Sequence, residues 1–380
     1  MNLRSLVIAF FSLALLAPAA ADSPFAPPPA AKPSFLRVLA FADYFDPAVL
    51  AEFENDSGFQ IAYDAYDSPE SVPDKLRDGP YDLVVLPGPL LRWQIGTGAL
   101  QKLDRAKLPH AASAAPAILG KLAAYDATGG YAYPYMWFAS GLLYDAEMAP
   151  KRLHAPPMSW AAIFAPEQAR RLVDCGIATP DSRDDLFMAA WRFIGANPAR
   201  LNALNVKQAA DLLIKVKMSA RAFALRDYVG ALVNGSVCLS LGRAADAPWA
   251  TARAKQSGRD VEIGFVVPKE GAPMSIDALA IPKDAAHPAQ AYALLDYLLR
   301  PEIAARNAHA TGLSSGDDGG DADVLKRLLP TGSVDPSLTP IIEKEWARVK
   351  ADEGQNSQVA KAPQANSPAP VRNRPKPKAK

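Results

Sequence analysis

Cysteine and histidine are scarce in this chain of 380 residues, with two of the first and four of the second. The histidines, His110, His154, His287 and His309, stand alone and show no metal-ligand spacing, so no metal site is expected. A Gly-rich phosphate loop of the Walker type is missing, and so are the adjacent tyrosines that a ferric site shows. An excess of either charge is missing too: 41 basic residues face 40 acidic ones, a net of +1. That balance conceals a split. The stretch 354–380 holds six basic residues (Lys361, Arg372, Arg374, Lys376, Lys378, Lys380) and no acid. Setting these and Arg4 aside leaves 34 of the 41 basic residues against all 40 acids, about −6 for the body. Such a body lacks the basic face that nucleic acid requires and suits a cationic ligand.

Long hydrophobic runs are absent after the N-terminus, where Arg4 precedes the apolar run Leu6 to Leu16 and the small residues Ala19, Ala20 and Ala21 follow. This pattern reads as a secretory signal over 1–21, cut before Asp22. A membrane anchor is the alternative, but the run falls short of the roughly 20 residues a spanning helix needs. No cysteine lies near the cut, so a lipid anchor is not expected. Cys175 and Cys238 are expected to pair in an oxidising compartment, closing a loop that would stabilise the fold by roughly 4 kcal/mol. Two buried free thiols are the other reading of the residues alone.

What is present is a chain 49% apolar, long enough for two domains with tails. The Ala/Pro-rich leader 22–34 and the basic Pro-rich tail 354–380 cannot bury enough surface to order themselves. The tail's charge could touch anionic surfaces, although a solvated tail is the simpler reading. Between them the pattern alternates. FLRVLAF (35–41) reads as a strand, Pro47 to Asp56 as a helix stopped at Gly58, and Phe59 to Tyr66 as a strand. Glu70 to Arg77 reads as a short helix and Tyr81 to Leu86 as a buried strand. Such a series makes a parallel sheet whose ligands bind beyond the carboxyl ends of the strands, which places Ala42, Asp43 and Tyr44 at a ligand. Later helices are expected at Trp160–Phe164, Asp185–Gly195, Gln208–Val216, Asp246–Lys255 and Ala289–Leu299. Later strands are expected at Gly176–Thr179, Val237–Leu241, Val261–Val267 and Ala278–Ile281, the whole making an α/β chain with two lobes and a cleft.

One catalytic motif must be weighed. Gly312-Leu313-Ser314-Ser315-Gly316 matches a nucleophile elbow, which would make Ser314 the nucleophile of a periplasmic hydrolase. An elbow needs a strand before it and a helix after, whereas a helical run precedes this one and an acidic Gly loop follows. No catalytic residue and no cofactor are therefore expected. The acidic loop also lacks the spacing and terminal Glu of a calcium loop.

Specific words then accumulate in order: Asp43-Tyr44 after the first strand, YDLVV (81–85), PYMW (134–137), Cys175-Gly176, Asn234-Gly235 with Cys238, VPKEGA (267–272), DALAIP (277–282) and YLLRP (297–301). On these the chain resembles the spermidine/putrescine family of periplasmic binding proteins, its putrescine-binding branch most of all. The resemblance runs from about Leu36 to Lys350. It implies a type II periplasmic binding fold in which two lobes close on a small cationic ligand and hand it to an inner-membrane ABC permease. Residues 35–136 with 276–320 would form one lobe, and 137–275 with 321–353 the other, with crossings near Tyr135, Ser275 and Gly320. It also implies that Cys175 and Cys238 are paired. A periplasmic monomer that binds no nucleic acid is expected. Sensing through a membrane receptor is the alternative to transport.

A diamine carries two ammonium groups joined by methylenes, so its site needs carboxylates at both ends and apolar or aromatic walls between them. Burying about four methylenes supplies roughly 3 kcal/mol. Micromolar affinity needs roughly 8 kcal/mol, so charge-assisted bonds of roughly 1.5 to 3 kcal/mol each must supply the rest. The resemblance carries acids onto Asp43, Asp185 (the family's Glu), Asp246 and Asp277. It carries walls onto Phe41 (for a Trp) and Tyr44, while Arg243 replaces a Trp, Ser275 a Phe or Trp, and Leu313 a Tyr. Ala42 and Pro87 replace hydroxyl residues. Two readings follow for Arg243: neutralised by a neighbouring Asp, it leaves a polyamine site; facing the ligand, it would receive the carboxylate of a basic amino acid or another zwitterionic amine.

Overall fold

Leu36, Val38 and Ala40 alternate along the first strand and are buried, which seats β1 (Phe35–Phe41) at the middle of a sheet. The computed structural model describes residues 35–332 and 334–351; the signal 1–21, the leader 22–34 and the tail 354–380 lie outside the described residues. After β1 comes the helix Pro47–Ser57. The Asp46 side chain caps it by accepting from the Ala48 N–H at 2.9 Å, and Pro47 occupies its first turn. Gly58, at φ 73°, ends it in the left-handed conformation that glycine adopts without strain. β2 (Gln60–Tyr66) and β3 (Leu83–Pro87) both run parallel to β1, as an alternation of strands and helices requires.

β4 (Ala132–Asp145) is the long strand of the molecule. The later strands are β5 (Ile177–Pro180), β6 (Ala222–Leu225), β7 (Leu239–Arg243), β8 (Ile263–Val266), β9 (Ala272–Ala280), β10 (Ser314–Ser315) and β11 (Leu328–Pro330). Neighbours follow the order β2-β1-β3-β9-β4-β7-β5-β6, with β8 and β10 on β4 and β11 on β9. Along its first half β4 pairs antiparallel with β9, from Ala132↔Ala280 to Ala139↔Met274. Along its second half it pairs with β7, from Ser140↔Arg243 to Tyr144↔Leu239, and with β8. One strand therefore threads two sheets, and each sheet with its helices makes a lobe of an α/β fold. Gly141 lies at the changeover. A Cβ there would stand 2.4 Å from the Val266 carbonyl oxygen, so only glycine lets the backbones approach this closely.

The first sheet packs Val38, Leu83, Val85, Leu279 and Ile281 against Leu294, Leu295 and Leu298 of the helix Pro288–Leu298. In the second, Leu143 and Ala178 meet Val229 and Leu232 of the helix Tyr228–Val233 and Ala250 and Ala254 of the helix Asp246–Gln256. Cys175 and Cys238 are disulfide-bonded, with Cα atoms 5.4 Å apart, just ahead of the paired strands β5 and β7.

Two elements exceed the sequence reading. β9 starts at Ala272 instead of Ala278, because β11 pairs with Ala272, Pro273 and Met274, and Trp137, Phe138 and Ala139 of β4 pair with Ile276, Ser275 and Met274. The helix expected over Gln208–Val216 runs Ala203–Ser219, started by a box in which the Asn202 and Asn205 side chains satisfy each other's backbone N–H groups. Asn at the third helical position performs the task that Glu or Gln does in the usual signature.

Candidate functional site

The turn after β1 sets the first end of the site. Asp43 sits at φ 54°, a left-handed conformation that short polar side chains tolerate, and its side chain is exposed. The reversal sends Tyr44 inward. Its ring lies 5.6 Å from that of Phe41 and 5.9 Å from that of Tyr135, and only 5% of the residue is exposed. Phe41, half-buried, also packs 4.3 Å from Tyr66. The Tyr44 hydroxyl donates to Asp277 Oδ2 at 2.5 Å.

Asp277 lies on β9 between Pro87 of β3 and Met136 of β4. It is buried and makes no ion pair among the described residues. Burial pushes its carboxyl up to about 6, against the Tyr44 hydrogen bond and the more distant charge of Arg243. Burial and the neighbouring Asp277 charge push the Tyr44 phenol well above its ordinary value, which keeps it a donor.

The second end is built by the other sheet. Arg243 closes β7 opposite Ser140 of β4. Asp246, the first residue of the helix Asp246–Gln256, accepts from Arg243 three times: from the backbone N–H at 3.1 Å, Nε at 3.4 Å and Nη2 at 3.0 Å. The Tyr228 hydroxyl donates to the same carboxylate. The Arg243 side chain is 52% exposed, and its guanidinium lies 5.8 Å from the centre of the Phe138 ring. Burial works against its charge, but Asp246 and Tyr228 outweigh burial and hold Arg243 above its ordinary value.

Asp185, in the first turn of the helix Arg183–Phe193, accepts from Ser182 Oγ at 2.9 Å. Burial pushes its carboxyl up to about 6 and Asp184 adds to the rise, while Ser182, Ser140 and Arg243 oppose it.

β4 measures the distance between the two ends. Met136, Phe138 and Ser140 stand opposite Asp277, Ser275 and Arg243 respectively. Alternate residues of a strand share a face, and four residues at about 3.4 Å each separate the Asp277 and Arg243 positions by about 14 Å. Phe138 and the half-buried Ser275 lie between them. The floor thus offers an acid at one end, acids with a cation at the other, and an aromatic ring in the middle.

Leu313 is partly buried against the first-sheet core, in the turn between the helix Pro301–Thr311 and β10. Ser314 pairs with Trp137 in β10, with a helix before it and a turn and loop after, so the strand-turn-helix of an elbow is not formed. Among the described residues no hydrogen bond joins Ser314 to an acid or a base. Likewise, no group of His, Cys, Asp or Glu among them could hold a metal ion.

Sequence reasoning named Asp277, Tyr44, Arg243, Asp246 and Asp185 but missed their partners Tyr228, Ser182, Ser140 and Phe138. Phe138 and Ser140 could have been found from the alternation along β4. Tyr228, eighteen residues before Asp246, carries no local signal.

The model of the bacterial extracellular solute-binding proteins matches residues 48–318, more than half of the chain. The chain is 33% identical over 343 residues to the putrescine-binding periplasmic protein PotF of Escherichia coli (strain K12), covering 85% of this chain and 93% of that one. It is also 33% identical over 328 residues to a putrescine/agmatine-binding protein of Pseudomonas aeruginosa, covering 81% and 89%. In fold it is similar to the spermidine/putrescine ABC transporter substrate-binding protein PotD of Streptococcus pneumoniae, with a TM-score of 0.73 at 20% identity over 84% of this chain and 99% of that one.

Proposed function

The chain belongs to the bacterial extracellular solute-binding proteins, and on that premise we propose that it binds a short polyamine, a putrescine-like diamine, in the cleft where its two sheets meet along β4. The observation that carries this reading is the buried Asp277 carboxylate, which has a hydroxyl donor in Tyr44 and no cation of its own among the described residues. A buried carboxylate is costly to ionise alone, and a ligand ammonium supplies the missing charge. Asp185, partly buried at the other end, likewise has a hydroxyl donor in Ser182 and no ion pair among the described residues. Phe41, Tyr44 and Phe138 supply aromatic surface for the methylenes and for cation-π contact, with Ser275 and Leu313 as the smaller and the aliphatic neighbours. Asp43 adds charge at the rim.

The Arg243–Asp246 pair supports a diamine over a zwitterion, since Nε and Nη2 of the guanidinium are already committed to a protein carboxylate. The relatives named above are called putrescine-binding or putrescine/agmatine-binding. By the same reading the protein is exported to the periplasm after cleavage near Ala21, works as a monomer, and carries out no reaction. Residues 35–136 with 276–320 and residues 137–275 with 321–353 act as the lobes that close on the ligand before delivery to an inner-membrane ABC permease. Calorimetric titration with putrescine, cadaverine, spermidine, arginine and ornithine tests the ligand class. Binding of the diamines above the amino acids is the expected order; saturable binding of the amino acids alone would replace this reading with the zwitterionic one.

A further inference from the structure

The cleft holds three acids in two different conditions. Asp277 and Asp185 are bonded by neutral hydroxyls, those of Tyr44 and Ser182, so neither has an ion-pair partner among the described residues. Asp246 is held by Arg243 through three hydrogen bonds, two of them from the guanidinium, and by Tyr228. The Arg243 guanidinium is half-exposed over Phe138, and its charge is felt at both Asp277 and Asp185. An ammonium arriving at Asp246 would therefore meet a fixed cation in place of a free carboxylate. Asp43, at the exposed rim, is screened by solvent and alters this balance little.

We infer that Arg243 is a specificity-determining residue, an internal counter-ion that occupies Asp246 and sets the number of ligand ammonium groups at two, so that a diamine is taken in preference to a triamine. The inference rests on the polyamine reading of the cleft. Neutralising Arg243 releases Asp246 as a third acceptor, because Asp246 retains the Tyr228 hydroxyl and the backbone N–H of residue 243 and stays ordered.

The test is calorimetry at neutral pH with putrescine and spermidine on the full chain and its variants, with a thermal melt of each to verify folding. Arg243→Gln should raise the ratio of spermidine to putrescine affinity about tenfold or more, the size of one charge-assisted bond. Arg243→Lys, which keeps the charge, should retain the wild-type preference. Asp246→Asn added to Arg243→Gln should abolish the gain, a reversal that a merely structural Arg243 would not produce. A ratio in folded Arg243→Gln within threefold of wild type, in a chain that still binds putrescine, overturns the inference alone. Wild-type protein that binds neither amine overturns the polyamine reading and the inference with it.

Discussion

Tyr44 and Asp277 lie 233 residues apart in the chain, and the phenol of the first donates to the carboxylate of the second. The bond fixes the turn after β1 to the centre of β9. It engages one oxygen of a buried acid, whose other oxygen makes no hydrogen bond among the described residues. Asp277→Asn keeps the shape and the Tyr44 contact but removes the charge. Its putrescine affinity should fall about 10- to 100-fold, the worth of a charge-assisted bond, by calorimetry. Tyr44→Phe should cost less, about fivefold, since one neutral donor is lost. Wild-type affinity in folded Asp277→Asn would remove this residue from the site.

The same carboxyl sets a pH dependence with an unusual sign. Asp277 and Asp185 are both pushed from 3.8 up to about 6 by burial, so the folded chain holds more protons than the unfolded one between about pH 4 and 6. Stability of the ligand-free protein should fall as pH rises through that window, and the penalty is complete above it. Ligand-free Asp277→Asn should therefore be more stable than wild type at pH 7, by about 1 to 3 kcal/mol in urea unfolding.

Binding runs the other way, because an ammonium needs the ionised acids. Putrescine affinity should weaken below about pH 6, by as much as about tenfold per pH unit for each acid, with protons released on binding. Titrations at pH 5 in buffers of different ionisation heat measure that release. Affinity unchanged from pH 7 to 5 would show that neither acid must ionise for the ligand.

The disulfide ties positions 63 residues apart. Replacing Cys175 and Cys238 together by Ala should lower the unfolding free energy by roughly 4 kcal/mol or somewhat less, since residual structure in the unfolded chain shares the constraint. Denaturant unfolding of the double variant against the oxidised wild type gives the figure. A loss under 1 kcal/mol would mean that the bond does little to confine the unfolded chain.

Ser314 provides a negative control for chemistry. A fluorophosphonate probe should leave it unlabelled, because it lies in β10 opposite Trp137 with no base bonded to it among the described residues. Stoichiometric labelling detected by mass spectrometry would restore the hydrolase reading.

The first three strands were legible because alternation is a period-two signal and the helices between them carry caps at Asp46 and Gly58. β6, β10 and β11 escaped because runs of two to four residues carry too little periodicity and exist only through their partners. In the site, Asp246 announces itself three residues after Arg243, a spacing that permits the ion pair once a helix starts there. The bond from Tyr44 to Asp277 follows from the strand order alone, which no local pattern reveals. Resemblance to a family supplied the positions; the structure supplied the fact that Asp246 is paired with Arg243 while Asp277 has only the Tyr44 hydroxyl and no ion pair among the described residues.

β4 gives the groove its parity. Because a single pleated run seats Asp277 opposite Met136 and Arg243 opposite Ser140, deleting one residue between those two would turn every later side chain of the run to the reverse face. The two ends would then look away from each other although each sheet could still form. Natural variants of this chain should therefore accept insertions in its surface loops but preserve the count from Met136 to Ser140.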